Sequence, residues 1–209
     1  MTEKKQSPNP FALFTNGSTF SYQVTEELLD NHLIPELVVL PQYGPTELPG
    51  VSEIEIASKN TRSHFDQLIK SLPKRYAPKN RQGDIVSNLN SARLEYILVA
   101  CWPYLLSPEI SQCAERAALN IHPSYLPDYR GSDPIGAQLD NPSAHFGVSL
   151  HLLNQSFDSG DIVLQKKWTY PGIVTRNELE SDCALAGVRL FVRAMETYEH
   201  GWELLEQVD

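Results

Sequence analysis

Two stretches of this sequence, Leu37 to Leu40 and Tyr96 to Cys101, are apolar without interruption. A strand with one face in water alternates apolar and polar residues, whereas a short unbroken apolar run needs cover on both faces. Central strands of a parallel sheet meet that need, because the crossovers between parallel strands lay helices over both sides. The chain supplies such crossovers. Phe11 to Phe14 breaks at Asn16, Gly17 and Ser18 into a helical pattern carrying Val24, Leu28 and Leu29, which reads as strand, turn, helix. Phe65, Leu68, Ile69 and Leu72 share one helical face behind a cap at Asn60 or Thr61. Ser107 and Pro108 supply an N-cap and an N1 proline for a helix predicted to end near Ala118, and Leu119 and Ile121 start the next apolar segment. Ile54 to Ala57 is a further candidate strand, and the polar, proline-bearing stretch up to about Arg93 has no readable period.

Toward the C-terminus, Val148, Leu150 and Leu152 alternate with Ser149 and His151, and Ile162 to Leu164 opens another strand, so the two suit a hairpin-like pair. Thr175 with Glu178 forms a capping box for a long helix whose Leu179, Cys183, Leu190, Phe191, Ala194 and Tyr198 can face a core. The expected fold is α/β, a Rossmann-like, mainly parallel sheet with helices on both faces. Residues 1–10 are expected to be a flexible start and 11–209 a single domain, in keeping with 209 residues of which 41% are hydrophobic and 21% charged. Apolar residues near Trp202 and Leu204 suit either a dimer contact or packing of the last helix on its own sheet, so monomer and homodimer both stay open.

A net charge of -9 and a pI near 5.1 repel phosphate backbones, so DNA is not an expected partner and any nucleic acid would need a local basic patch. Lys74, Arg75, Lys79 and Arg81 are the one candidate, and their plainer reading is a solvated loop. Cys101, Cys113 and Cys183 are widely spaced and odd in number, which argues against a disulfide framework and a zinc site, and no metal is expected. Without a signal-peptide pattern or a run of about 18 apolar residues, a soluble cytoplasmic protein with no membrane partner is expected.

Open sheets of this kind bind ligands beyond the carboxyl ends of their strands. That rule selects the turn after Phe14, the turn after Cys101, and the segments from Asn120 to Pro134 and Phe157 to Ile162. Asn120 and His122 are two residues apart and point to one side of an extended backbone, where they can converge on one atom. Taken alone, such a pair reads more plainly as a structural histidine beside a capping asparagine. His151 faces either the cleft or solvent, and His32, His64, His145 and His200 read as surface residues.

The run from Leu119 to Ile135, Asn-x-His-x-Ser-x-Leu-Pro followed by Arg130-Gly131 and Pro134-Ile135, with Phe157-Asp158-Ser159-Gly160-Asp161-Ile162 beyond it, resembles the paired signature of the folate-dependent formyltransferases. The resemblance implies formyl transfer from 10-formyltetrahydrofolate to a primary amine. It assigns Asn120, His122 and Asp158 as catalytic residues: Asn120 and a protonated His122 stabilise the oxyanion, and Asp158 orients His122 and relays protons. It places the folate along Trp102, Pro103, Tyr104, Leu105 and Leu106, with Leu153 and Phe157 on the other wall, and the acceptor near Asn16, Gly17, Ser18, Ser124 and Arg130.

Departures from the methionyl-tRNA branch narrow the expectation. The chain stops at Asp209 without that branch's C-terminal barrel, and Gln42 to Glu47 shows nothing basic where those enzymes carry a basic loop, so a small amine or amino-sugar nucleotide is favoured over tRNA. A 10-formyltetrahydrofolate hydrolase and a non-catalytic folate- or nucleotide-binding module are the two alternatives.

Overall fold

The computed structural model describes residues 9–42, 59–141 and 145–207. Among the described residues seven strands form one sheet: β1 (Phe11–Thr15), β2 (Leu37–Gln42), β3 (Lys74–Pro78), β4 (Leu94–Ala100), β5 (Ala114–His122), β6 (Phe146–Leu152) and β7 (Ile162–Trp168). Their spatial order is β3-β2-β1-β4-β5-β6-β7. The pairs from β3 through β5 are parallel and the last two are antiparallel, so the hairpin-like pair expected at Gly147 and Ile162 is present as β6 and β7.

Helices cover both faces, as the unbroken apolar strands require. Along β1, Phe11 and Leu13 pack under α1 (Thr19–Asp30) and the long α6 (Arg176–Thr197), while Ala12 and Phe14 pack under α3 (Val86–Ala92) and the turn α4 (Pro108–Ser111). Beyond β2, Val38 and Leu40 meet Phe65 and Ile69 of the segment that forms α2 (Lys59–Leu68) and its exit. α6 begins with the capping box expected at Thr175 and Glu178 and buries Leu179, Cys183, Phe191 and Ala194, with Leu190 and Tyr198 packed at the margin. The final stretch turns at Gly201, and Trp202 packs edge-to-face against Tyr198 while its Nε1 donates to the Ala194 carbonyl.

The structure departs from the sequence expectation at several points. The helix predicted from Ser107 to Ala118 ends at Ser111, and β5 starts at Ala114: alanine favours a helix, but pairing with β4 and burial of Ala117 and Ala118 prevail. The basic segment read as a loop is instead edge strand β3 followed by a 3-10 turn (Lys79–Ile85); its outward-facing cations break the apolar pattern that marks an inner strand. Asn60 and Thr61 lie inside α2 and not ahead of it. Pro10, placed in a flexible start, is buried, and its carbonyl accepts from Glu95 N and Tyr96 N. Ile54 to Ala57 lies outside the described residues. Among the described residues no helix is long and apolar enough to cross a membrane.

Candidate active site

The strand order reverses between β1 and β4, and the segments leaving β1, β4 and β5 open around one cavity of about 430 Å³. Asn16, Ser18 and Phe20 line it from the β1 exit, Trp102 and Pro103 from the β4 exit, Asn120 and His122 from β5, and Phe157 and Asp158 from the loop between β6 and β7. The four segments selected by the strand-end rule thus meet in one space. A smaller recess of about 50 Å³ lies on the other side of Asn120 and Asp158, between Trp102, Tyr104, Leu106, Leu153 and Phe157.

Asn120 sits opposite His151 in the antiparallel register of β5 and β6, and opposite side chains of such a pair lie on the same face. The His151 ring is buried, with Nδ1 2.8 Å from the Leu152 carbonyl and Nε2 3.0 Å from Asn120 Nδ2. A carbonyl only accepts, so Nδ1 carries the proton and Nε2 accepts one amide hydrogen of Asn120. Burial pushes the His151 pKa from 6.5 down to about 4, which fixes the neutral ring this arrangement needs. His151 therefore faces the cleft, not solvent.

Asp158 holds a left-handed backbone (φ 52°), and its Oδ1 is 3.3 Å from His122 Nδ1 and 3.5 Å from Asn120 Nδ2. The backbone N–H of Gly131 donates to Oδ2 at 3.1 Å. Burial alone would raise this carboxyl, but the hydrogen bond and charge of His122, with the Gly131 N–H, hold it below the usual carboxylate range. His122 is buried, and its Nε2 lies 3.0 Å from the Tyr129 carbonyl, which makes that nitrogen a donor.

Other residues picked out in the sequence fall as follows. Asn16 turns its Oδ1 back onto Ser18 N and Ser21 Oγ, and Ser18 caps α1. Gly17 has φ 79°, and a Cβ there would lie 2.9 Å from the Phe65 ring, so a glycine is required. Leu105 is largely exposed beside the recess. Ser124 is fully buried, donates to the Asp128 carbonyl and lines neither cavity. Arg130 also lies outside both linings and directs its guanidinium to Gln207.

Sequence reasoning missed the far wall of the large cavity. Arg176 makes a two-pronged ion pair with Asp133 at 3.0 and 2.9 Å and approaches Glu180 at 3.7 Å. The Arg176 hydrogen bond, against the opposing effect of burial, holds Asp133 below the usual carboxylate range. The only signal was the Asp133-Pro134 start of α5 (Pro134–Asp140), and nothing local to Asp133 announces a partner on α6. Among the described residues no group of three or more His, Cys, Asp and Glu side chains could hold a metal ion.

Residues 52–195 match the family model described as "Formyl transferase". The methionyl-tRNA formyltransferase of Moorella thermoacetica is 32% identical over 129 residues, 62% of this chain and 42% of the relative, and that of Clostridium acetobutylicum is 25% identical over 90% of this chain and 59% of the relative. The chain thus spans about two-fifths to three-fifths of the length of these two relatives. Glycinamide ribonucleotide transformylase 1 from Symbiobacterium toebii superposes with a TM-score of 0.67 over 95% of this chain and 94% of its own, at 15% identity, which speaks for a shared fold. With a match over more than half its length, a shared strand architecture and the Asn120, His122 and Asp158 cluster at the strand ends, the chain belongs to the formyl transferase family.

Proposed function

We propose that the chain transfers a formyl group from 10-formyltetrahydrofolate to a primary amine held in the larger cavity, with Asn120, His122 and Asp158 as the catalytic residues. One observation carries this reading: Asn120 Nδ2 and His122 Nδ1 both face the same negatively charged oxygen, Asp158 Oδ1, at 3.5 and 3.3 Å. Acyl transfer needs donors converging on an oxygen that gains charge. When the amine nitrogen bonds to the formyl carbon, the C=O opens to C–O⁻. His151 anchors one Asn120 hydrogen, and the other, which points weakly at Asp158 Oδ1, would turn to this oxyanion once it forms. A doubly protonated His122 satisfies the Tyr129 carbonyl at one nitrogen and negative charge at the other. Asp158, kept ionised, accepts the proton of the attacking amine directly or through one water. Re-forming C=O breaks the bond to N10 of the folate, and the proton that Asp158 took from the amine, passed on through water, goes to N10 and completes tetrahydrofolate.

The residues around the recess fit a folate in chemistry, since Leu106 and Leu153 are apolar and the buried Nε1 of Trp102 has no hydrogen-bond partner. At about 50 Å³ the recess is far below the roughly 300–1,000 Å³ of small-molecule pockets, so a bicyclic ring enters only when Trp102 and Tyr104 give way. The larger cavity, at about 430 Å³, suits a small acceptor. Asp133, Asp158 and Glu180 on its wall attract an amine, while Arg176 is already bound to Asp133, so an anionic substituent has to displace that carboxylate. The amino sugar itself fits this wall better than the phosphodiester chain of a tRNA end. The test is tetrahydrofolate release from 10-formyltetrahydrofolate with and without a panel of amines, including glycinamide ribonucleotide, amino-sugar nucleotides and charged initiator tRNA. Release that needs one amine and falls at least 100-fold in Asp158→Asn is expected. Release without any amine would make the protein a hydrolase, and folate binding with no release would make it a binding module.

A further inference from the structure

Asp158 sits in a loop whose backbone does not hold itself. A left-handed backbone is disfavoured for a non-glycine residue, less so for aspartate than for most, and contacts from outside the loop help to keep it. One such contact arrives from the far end of the chain. After α6 and the turn at Gly201, Leu205 exchanges two backbone hydrogen bonds with Ile162, at 2.9 and 3.0 Å, and so lies along the start of β7. Two residues later, the Gln207 side chain, which lines neither cavity, reaches the backbone of the Asp158 loop from behind the site.

Every hydrogen-bonding group of that carboxamide is used. Nε2 donates to the carbonyls of Asp158 at 3.1 Å and Gly160 at 2.6 Å, one on each side of Ser159. Oε1 accepts from Arg130 Nε at 3.2 Å and Nη2 at 3.0 Å. Four bonds leave the amide a single orientation. The residues flanking Arg130 grip the catalytic pair directly: Tyr129 offers its carbonyl to His122 Nε2, and Gly131 donates to Asp158 Oδ2. Gln207 thereby closes a ring of contacts running from the Asp158 backbone through Arg130 and Gly131 back to the Asp158 carboxylate.

We infer that Gln207 is a positioning residue that clasps the two walls of the site together and so sets the Asp158 carboxylate against His122. Its effect on turnover rests on the transfer reaction proposed above, whereas its effect on the geometry does not. A glutamate at 207 keeps the length and the bond to Arg130 but presents an acceptor where Asp158 and Gly160 need a donor.

The experiment compares Gln207→Glu with the wild type and with Glu206→Gln, a change at the exposed neighbouring position. Hydrogen exchange at the Gly131 amide, followed by NMR, should quicken at least tenfold in Gln207→Glu and stay unchanged in Glu206→Gln, with β4 amides unaffected in both. In the transfer assay kcat should fall about tenfold with the donor KM within twofold, and the acid limb of the pH profile should move up as the Asp158–His122 contact loosens. Unchanged Gly131 exchange in a folded variant would overturn the clasp. So would a lowered Tm with unchanged kcat and pH profile, because Gln207 would then only tie down the chain end. If the wild type transfers formyl to no amine, the functional reading fails alone, and Gly131 exchange still decides the clasp.

Discussion

The site has two halves built in different ways. Asn120 and His122 stand on β5, a strand paired with a neighbour on each side, so their backbone is fixed by the sheet before any side chain is considered. Asp158 stands on a loop in a left-handed conformation and is held by contacts from Gly131, His122 and Gln207. The difference teaches where fragility lies. A strand-borne donor tolerates change around it and fails when its own polar atom is removed, whereas a loop-borne carboxylate can be lost by changes that leave it chemically intact.

That contrast can be broken first at Gly160, where an added Cβ would overlap the Leu152 carbonyl oxygen and come within 3.5 Å of His151 Nδ1. Gly160→Ala should force the loop off β6 and lower turnover by 1,000-fold or more (about 4 kcal/mol in the barrier), while circular dichroism still reports the sheet; turnover within tenfold of wild type would show that the loop adapts freely. On the strand side, Asn120→Ala should cost on the order of 10²–10³ in kcat with little change in Tm, as for removal of one oxyanion donor. A larger loss of stability than of rate would mean that the Asn120–His151 pair is mainly structural. The smallest effect concerns His151. Its folded pKa lies near 4, below its ordinary 6.5, so between those pH values the unfolded chain binds a proton that the folded chain refuses, and stability falls as pH drops through this window. Urea midpoints of His151→Gln over the same range should show a shallower decline, and an unchanged slope would place the refused proton elsewhere.

The legible parts of the molecule were those whose determinants are local in sequence. Unbroken apolar runs gave β2 and β4, and the capping box gave the start of α6. The Asn-x-His spacing put two side chains on one face of β5, and the strand-end rule brought their segments together with Asp158. Longer-range dependence was not legible. β3 looked like a loop because an edge strand has only one neighbour to satisfy and can carry charge. The alanines of β5 looked helical because their burial comes from strands and helices far along the chain. Arg176 and Gln207 each reach the site across more than 40 residues, and neither has a local pattern that reveals its partner.

The two outermost strands among the described residues are β3 and β7, and both carry exposed cations: Arg75 on one, Lys166 and Lys167 on the other. A sheet margin is a template onto which another chain can add a strand, and lysine-like charge there makes such growth unfavourable. In a chain whose net charge is -9, this placement is a matter of position and not of composition. Like charge on both of these margins opposes pairing between two copies at either one.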